Sequence, residues 1–322
     1  MLRFSLLVMT LMTTAAVVAS EEPHPGAAAF VDRVVAEYGL DPEHVQGVLA
    51  EARYQQSIID AITRPAESKP WHEYRKIFIT PTRISSGVEF WRANADLLGQ
   101  VSDRFGVPVE VVVAIVGVET SYGLNTGSYR VIDALATLGF YYPKRGAFFA
   151  DELGQFLRLA EEEALPLTEV RGSYAGAMGV GQFIPSSYRA YAVDMDETGK
   201  RDLWRSLPDA MGSVANYLAT HGWRDDEPIA LPADLSVDLP EGADFPLKPE
   251  HTLAELAEMG VEFDAGELPG DTEATLIELE QADGRDYWVG LNNFYVITRY
   301  NRSPLYAMAV TQLAKEIREQ RQ

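Results

Sequence analysis

The stretch Pro108–Val118 carries one charged residue, Glu110, among eleven positions and is otherwise proline, valine, isoleucine, alanine and glycine. Such a run has to be withdrawn from water, yet crossing a bilayer takes about 20 apolar residues. It is therefore expected to be a core element of a globular unit, enclosed by the rest of the chain. Its valines would suit a buried strand, and periodicity alone does not separate strand from helix. Its length and the break at Gly106–Val107–Pro108 favour a buried helix. The chain can enclose it: 322 residues with 47% hydrophobic content predict two or three packed units.

The first residues are of another kind. Arg3 gives a positive start, Phe4 to Val18 is apolar apart from Thr and Ser, and Ala16–Ser20 offers small residues before Glu21–Glu22. Residues 1–20 read as a secretory signal peptide, in preference to an uncleaved anchor. The chain has no cysteine. Disulfides, a thiolate metal site and a lipid-acceptor cysteine are therefore not expected. The mature protein is expected free in the periplasm, exported and not lipidated. A formal net charge of −21 lacks the basic footprint of nucleic-acid binding, so DNA and RNA partners are not expected.

Helical spacing recurs from Ala27 to Ala61, with Asp41–Pro42–Glu43 as an N-cap and first-turn proline. Ser85–Phe105 reads as one amphipathic helix, and Ala147–Glu163, Asp209–Thr220 and Ser303–Glu319 as others. Between 225 and 290 prolines, glycines and acidic residues accumulate around short alternating runs, Thr275–Glu280 and Tyr287–Val289. That pattern predicts a small strand-containing insertion.

Glu119 closes the apolar segment, within Gly117–Gly123. A carboxyl there is poorly solvated, which raises its pKa and suits a general acid. A helix-terminal glutamate pointing into water or paired with an arginine is equally compatible with the sequence. The block Gly172–Tyr188 carries four glycines with Ser173, Tyr174 and Gln182 interleaved. This favours a binding wall that lets a ligand approach the backbone over a tight helix contact. Asn293–Ser303 sets aromatics beside amides, a combination that suits sugars.

Taken in order, Trp71–Lys76, Gly87–Trp91, Gly117–Gly123, Tyr142–Arg145, the glycine-rich block, Val214–Tyr217 with His221–Trp223, and Tyr300–Asn301 resemble the lytic murein transglycosylase B family. The resemblance runs from about Phe30 to the C-terminus. It implies a mainly α (α+β) protein: a helical unit at 24–105 joined by the C-terminal helix 303–322, a lysozyme-like core at 106–224 plus 291–302, and a β insertion at 225–290. It implies a lytic transglycosylase that cuts the β-1,4 bond between N-acetylmuramic acid and N-acetylglucosamine and leaves 1,6-anhydromuramic ends. Glu119 takes the place of the glutamate that serves as acid and then as base. Ser173 matches the hydroxyl that bonds it, Gln182 lines the same wall, and Tyr74, Tyr217, Tyr300 and Tyr306 match aromatic subsite residues. Asn301 matches an amide at the reacting sugar, and Arg145, beside Lys144, a basic group near the glycan path.

Peptidoglycan glycan strands are the expected partner, with periplasmic cell-wall enzymes as further candidates and a monomer as the expected state. The chemistry needs no cofactor. A hydrolytic muramidase would require a second carboxylate near C1 or a positioned water, and no aspartate stands out in the matched motifs. A non-catalytic peptidoglycan-binding protein would have no need of Glu119.

Asp194, Asp196, Thr198 and Gly199 have the spacing that opens an EF-hand loop, with Lys200 next. Arg205 stands where a bidentate glutamate would close it, and Asp209 matches the family's later aspartate. The loop is either a turn or a structural calcium site formed by Asp194, Asp196, Thr198, Lys200 and Asp209.

Overall fold

The computed structural model describes residues 24–237, 239 and 244–321; the signal-peptide assignment at 1–20 lies outside them. The N-terminal part contains α1 (Ala27–Tyr38), α2 (Pro42–Glu51) and α3 (Gln56–Ile62). Asp41 caps α2 by accepting the His44 N–H at 2.9 Å, as its place before proline leads one to expect. A short 3-10 turn, Ala66–Ser68, leads into α4 (Trp71–Phe78), α5 (Pro81–Ala93) and α6 (Ala95–Phe105).

The single helix expected over Ser85–Phe105 is in fact two. The Asn94 side chain donates to the Phe90 carbonyl at 2.8 Å, and its backbone, at φ −123°, leaves the helical region. Asparagine competes for backbone hydrogen bonds in this way and so breaks helices. The first helix also begins earlier, because Thr80 accepts the Arg83 N–H before Pro81 at the first turn.

The apolar segment is helix α7 (Val109–Thr120), and every residue from Val111 to Val118 is buried. It is enclosed by α5, α6, α11 (Leu207–Thr220) and α14 (Pro304–Arg321). The C-terminal helix thus packs on α4, α5 and α7, welding the end of the chain to its first half. Gly87 permits this approach: a Cβ there would lie 2.5 Å from Ile317 Cδ1.

Two strands, β1 (Tyr129–Arg130) and β2 (Arg171–Gly172), pair antiparallel around α8 (Val131–Tyr141) and α9 (Gly146–Glu163). The buried Asp133 anchors α8, receiving Arg130 at 2.6 Å and the Arg53 N–H at 2.9 Å.

The segment after α10 (Pro185–Tyr191) and α11 is a curled antiparallel sheet. Its strands are β3 (Ala230–Leu235), β4 (His251–Thr252), β5 (Val261–Phe263), β6 (Glu273–Gln281) and β7 (Gly284–Gly290), in the order β4-β6-β7-β3-β5. Leu253, Leu256, Val261, Ala274, Leu276, Val289 and Leu291 give it a core of its own. On β6 the next side chains, Ile277 and Leu279, belong to the main core, as strand alternation requires. A helix, α12 (Leu253–Glu258), also occurs here, started by a Thr252–Glu255 capping box. Helix α13 (Asn292–Tyr300) then returns the chain to the helical body, which dominates the fold. No helix among the described residues is long and apolar enough to cross a membrane.

Candidate active site

Glu119 sits one residue before the end of α7 and is held in place by the turn at Ser121–Gly123. Ser121, Tyr122 and Gly123 all have positive φ (51°, 64° and 86°), a conformation that ordinary residues adopt only when their surroundings impose it. Side-chain contacts impose it here. Thr120 Oγ1 donates to the Val180 carbonyl at 2.8 Å and accepts the Gly123 N–H at 3.0 Å. The Tyr122 hydroxyl donates to the Arg83 carbonyl at 2.7 Å, and the Arg83 guanidinium donates to the Gly117 carbonyl. Gly117 leaves room for the Tyr122 ring, whose Oη would lie 2.7 Å from a Cβ. The turn after the glutamate is thereby pinned to α5 on one side and to the glycine-rich block on the other.

The Glu119 carboxyl is withdrawn from solvent although the residue keeps some exposure. Burial pushes its pKa from 4.5 up to about 7; the Tyr306 hydrogen bond opposes the rise and the nearby charge of Glu67 adds to it. The Tyr306 hydroxyl donates to Oε1 at 2.6 Å. Burial first, and the Glu119 charge second, hold the Tyr306 phenol well above its usual range, so it stays a donor. Oε2 has no hydrogen-bond partner among the described residues. Of the two possibilities open for Glu119, the geometry matches the poorly solvated acid, and no arginine pairs with it among the described residues.

Ser173 is placed otherwise than the resemblance implies. Its Oγ accepts the backbone N–H groups of Ala175 at 3.2 Å and Ala177 at 3.1 Å, and the hydroxyl bonded to Glu119 is that of Tyr306. A serine opening a tight turn satisfies its own backbone first. The glycine-rich block is a looped hairpin and not a helix contact: Met178 and Phe183 exchange both backbone bonds at 2.9 Å. Gly172 could not carry a side chain, since a Cβ would lie 2.2 Å from the Ala177 carbonyl oxygen. Gln182, at φ 53°, donates to the carbonyls of Thr126 at 3.1 Å and Gly179 at 3.0 Å. It closes the hairpin onto the loop after Glu119.

The four tyrosines converge, but as packed rings more than as open platforms. Tyr74 is 1% exposed, Tyr306 2% and Tyr217 7%. Tyr300 stacks on Tyr306 with an interplanar angle of 6°, and Tyr217 meets Tyr300 edge-on at 4.8 Å. The Tyr300 hydroxyl donates to the Gly181 carbonyl, and that of Tyr217 to the Arg299 carbonyl. Tyr74 and Tyr300 both feel the Glu119 charge. Asn301 follows α13 and donates from Nδ2 to Glu67 Oε1 at 3.3 Å.

Glu67 is the residue that sequence reasoning missed. It is a second carboxylate at the cluster, brought in by the 3-10 turn from 234 positions away, and no local spacing announces such a contact. Arg145 is not part of the cluster. It lies at the start of α9 with its guanidinium 4.3 Å from the Phe148 ring centre, and none of its interactions among the described residues reaches Glu119.

In the acidic loop the carboxylates of Asp194, Asp196 and Asp209 come within 4.8 Å of one another. Asp209, fully buried, accepts the N–H groups of Met195 and Asp202 at 2.8 Å. Asp194 accepts those of Thr198 at 3.0 Å and Gly199 at 2.7 Å. The Thr198 hydroxyl lies 3.5 Å from the Lys200 carbonyl, while Arg205 adds only its N–H, donated to Asp202. Both oxygens of Asp194 and Oδ2 of Asp209 hold one backbone donor each and retain a lone pair; Asp209 Oδ1 also takes the Asp196 N–H at 3.4 Å, and Asp196 Oδ2 accepts the Ser206 hydroxyl at 2.7 Å. The three carboxylates together still offer the oxygen donors that a hard divalent cation takes.

A family model described as Transglycosylase SLT domain matches residues 23–315. The membrane-bound lytic murein transglycosylase B of Escherichia coli (strain K12) is 41% identical over 305 residues, 91% of this chain and 83% of that protein. The catenated lytic transglycosylase SltB1 of Pseudomonas aeruginosa is similar in structure, with a TM-score of 0.86 and 48% identity over 92% of this chain and 98% of that one. The Escherichia coli lytic transglycosylase Slt35, solved in complex with calcium, gives a TM-score of 0.83 and 40% identity over 92% of this chain and 94% of its own.

Proposed function

The chain belongs to the Transglycosylase SLT domain family, within the lytic murein transglycosylase B group, and from that premise we infer how its own residues carry out the reaction. The protein is a lytic transglycosylase. It cleaves the β-1,4 bond between N-acetylmuramic acid and N-acetylglucosamine in peptidoglycan and leaves 1,6-anhydromuramic ends.

We assign the proton transfers to Glu119. With a pKa of about 7 it carries its proton in a useful fraction of molecules near neutrality. Tyr306 holds Oε1, which leaves Oε2 as the oxygen that gives up and regains a proton. In the first step Glu119 protonates the departing glycosidic oxygen as the bond to C1 breaks. The carboxylate so formed then takes the proton of the muramic C6 hydroxyl, and that oxygen bonds to C1. One bond to C1 is exchanged for another, the proton on Glu119 is restored, and no water is consumed. The nucleophile already belongs to the sugar, so neither a second catalytic carboxylate nor a cofactor is required. We give Asn301 the role of meeting the acetamido group, and Gln182 with the glycine-rich hairpin that of a wall along which the strand lies close to the backbone.

The buried, singly gripped carboxyl of Glu119 carries this reading. Muropeptides released from purified sacculi are expected to be lighter by one water than those a hydrolytic muramidase releases. Products of full mass would refute it.

We take the enzyme to act in the periplasm as a monomer on glycan strands, a reading that its substrate and the export signal read at 1–20 support. We assign structural calcium to Asp194, Asp196, Thr198, Lys200 and Asp209, a reading supported by the convergence of the carboxylates and by the similarity to a relative solved with calcium. The ion would tie the loop to α11 and take no part at the glycosidic bond. Calcium at a hundredfold excess over its Kd is expected to add about 2.7 kcal/mol of stability by mass action. Millimolar calcium should then raise Tm in the unmodified protein and leave it unmoved in Asp194→Ala. An unmoved Tm in both would reduce the loop to a turn.

A further inference from the structure

We propose that Glu67 is a positioning residue of the glycan cleft, which holds the Asn301 amide by its nitrogen and so leaves the amide's carbonyl oxygen as the end offered to the reacting sugar. The inference rests on the transglycosylase reading above. Its basis is the hydrogen bond from Asn301 Nδ2 to Glu67 Oε1 at 3.3 Å. An ionised carboxylate only accepts hydrogen bonds, so the amide nitrogen has to be the end facing it. Asn301 Oδ1 is then the free end, without a partner among the described residues.

The chemistry makes that orientation matter. As the glycosidic bond breaks, positive charge grows at C1 and its ring oxygen. A carbonyl oxygen can accept the acetamido N–H and lies favourably beside that charge, whereas a flipped amide would turn two N–H groups toward it. Glu67 belongs to the 3-10 turn Ala66–Ser68 and Asn301 follows α13. The contact therefore links the N-terminal helices to the end of α13.

The charge of Glu67 has a second consequence. Among the described residues, four groups are coupled to Glu119 by hydrogen bond or by charge: Tyr306 from α14, Tyr300 from α13, Tyr74 from α4, and Glu67. Glu67 is the only anion among them, and a neighbouring anion favours the protonated, working form of the acid. The Tyr74 phenol is raised by burial first and by Glu67 next, so it also remains a neutral neighbour.

The test uses the full chain with soluble glycan strands, and follows kcat, KM and the pH profile. Glu67→Ala is expected to lower kcat about tenfold with little change in KM and unchanged melting. Glu67→Gln, whose amide oxygen can still accept from Asn301, should recover most of that loss. Both variants lack the anion, so both should move the alkaline limb of the kcat/KM profile to lower pH. On the acid side of the profile, where loss of the anion has no effect on the proton carried by Glu119, combining Glu67→Ala with Asn301→Ala should cost no more than Asn301→Ala alone. A Glu67→Ala variant within twofold of the unmodified rate, a loss that Glu67→Gln does not recover, or an unmoved alkaline limb would each overturn the proposal. Failure of the underlying reading shows separately, as products of the unmodified protein that lack anhydro ends.

Discussion

Glu119→Gln is expected to reduce glycan cleavage by at least about a thousandfold, because its amide can neither give a proton to the leaving oxygen nor take one from the C6 hydroxyl. Glutamine keeps the shape of the side chain, and its carbonyl can still accept the Tyr306 hydroxyl, so binding of the strand should survive. The same substitution has a signature in stability. In the folded protein the Glu119 pKa is raised to about 7 from an ordinary 4.5. Below pH 4.5 the carboxyl is neutral in both folded and unfolded chains and costs nothing. Between 4.5 and 7 the unfolded chain ionises while the folded one resists, so stability falls across that window and levels off above it. The loss has a ceiling on the order of 3 kcal/mol, reduced by whatever water reaches the residue. Glu119→Gln removes the titration. Urea unfolding should therefore find the variant close to the unmodified protein at about pH 4 and more stable at about pH 8. Activity within tenfold of the unmodified protein, or a variant no more stable than its parent on the alkaline side, would contradict the assignment of Glu119.

Local signals disclosed most of the fold, and they stopped where long-range contacts begin. Helix α7 could be read from its apolar run, the Gly106–Val107–Pro108 break and the carboxylate at its end, all of which are neighbours in sequence. The split at Asn94 was missed because the apolar spacing on either side continues across it. The capping box of α12 was legible at Thr252 and Glu255, but it lies among prolines and acidic residues that point to strands and turns.

At the site, the residues of Gly117–Gly123 and Gly172–Tyr188 carry composition unusual enough to mark them. Their partners do not. Glu67 stands in an ordinary polar stretch, and only the folded chain brings it to Asn301. Tyr306 could be placed near the site by resemblance, but its bond to Glu119 depends on how α14 packs against α7. Ser173, assigned to that bond, is turned instead toward the backbone of its own turn. The tyrosines illustrate the same limit. A sequence shows aromatic residues beside amides, yet whether a ring faces a sugar or another ring is decided by packing.

The fate of water at C1 bears most directly on the account as a whole. With Glu119 as the single acid/base, the nucleophile has to be one already held beside C1, and the muramic C6 hydroxyl is so held. A hydrolase working on the same bond would take its oxygen from solvent. Sacculi digested in heavy-oxygen water, with the released muropeptides weighed by mass spectrometry, separate the two. The account expects 1,6-anhydromuropeptides with no label at muramic C1. Label at C1 in most of the products would mean that water is the nucleophile and would contradict it.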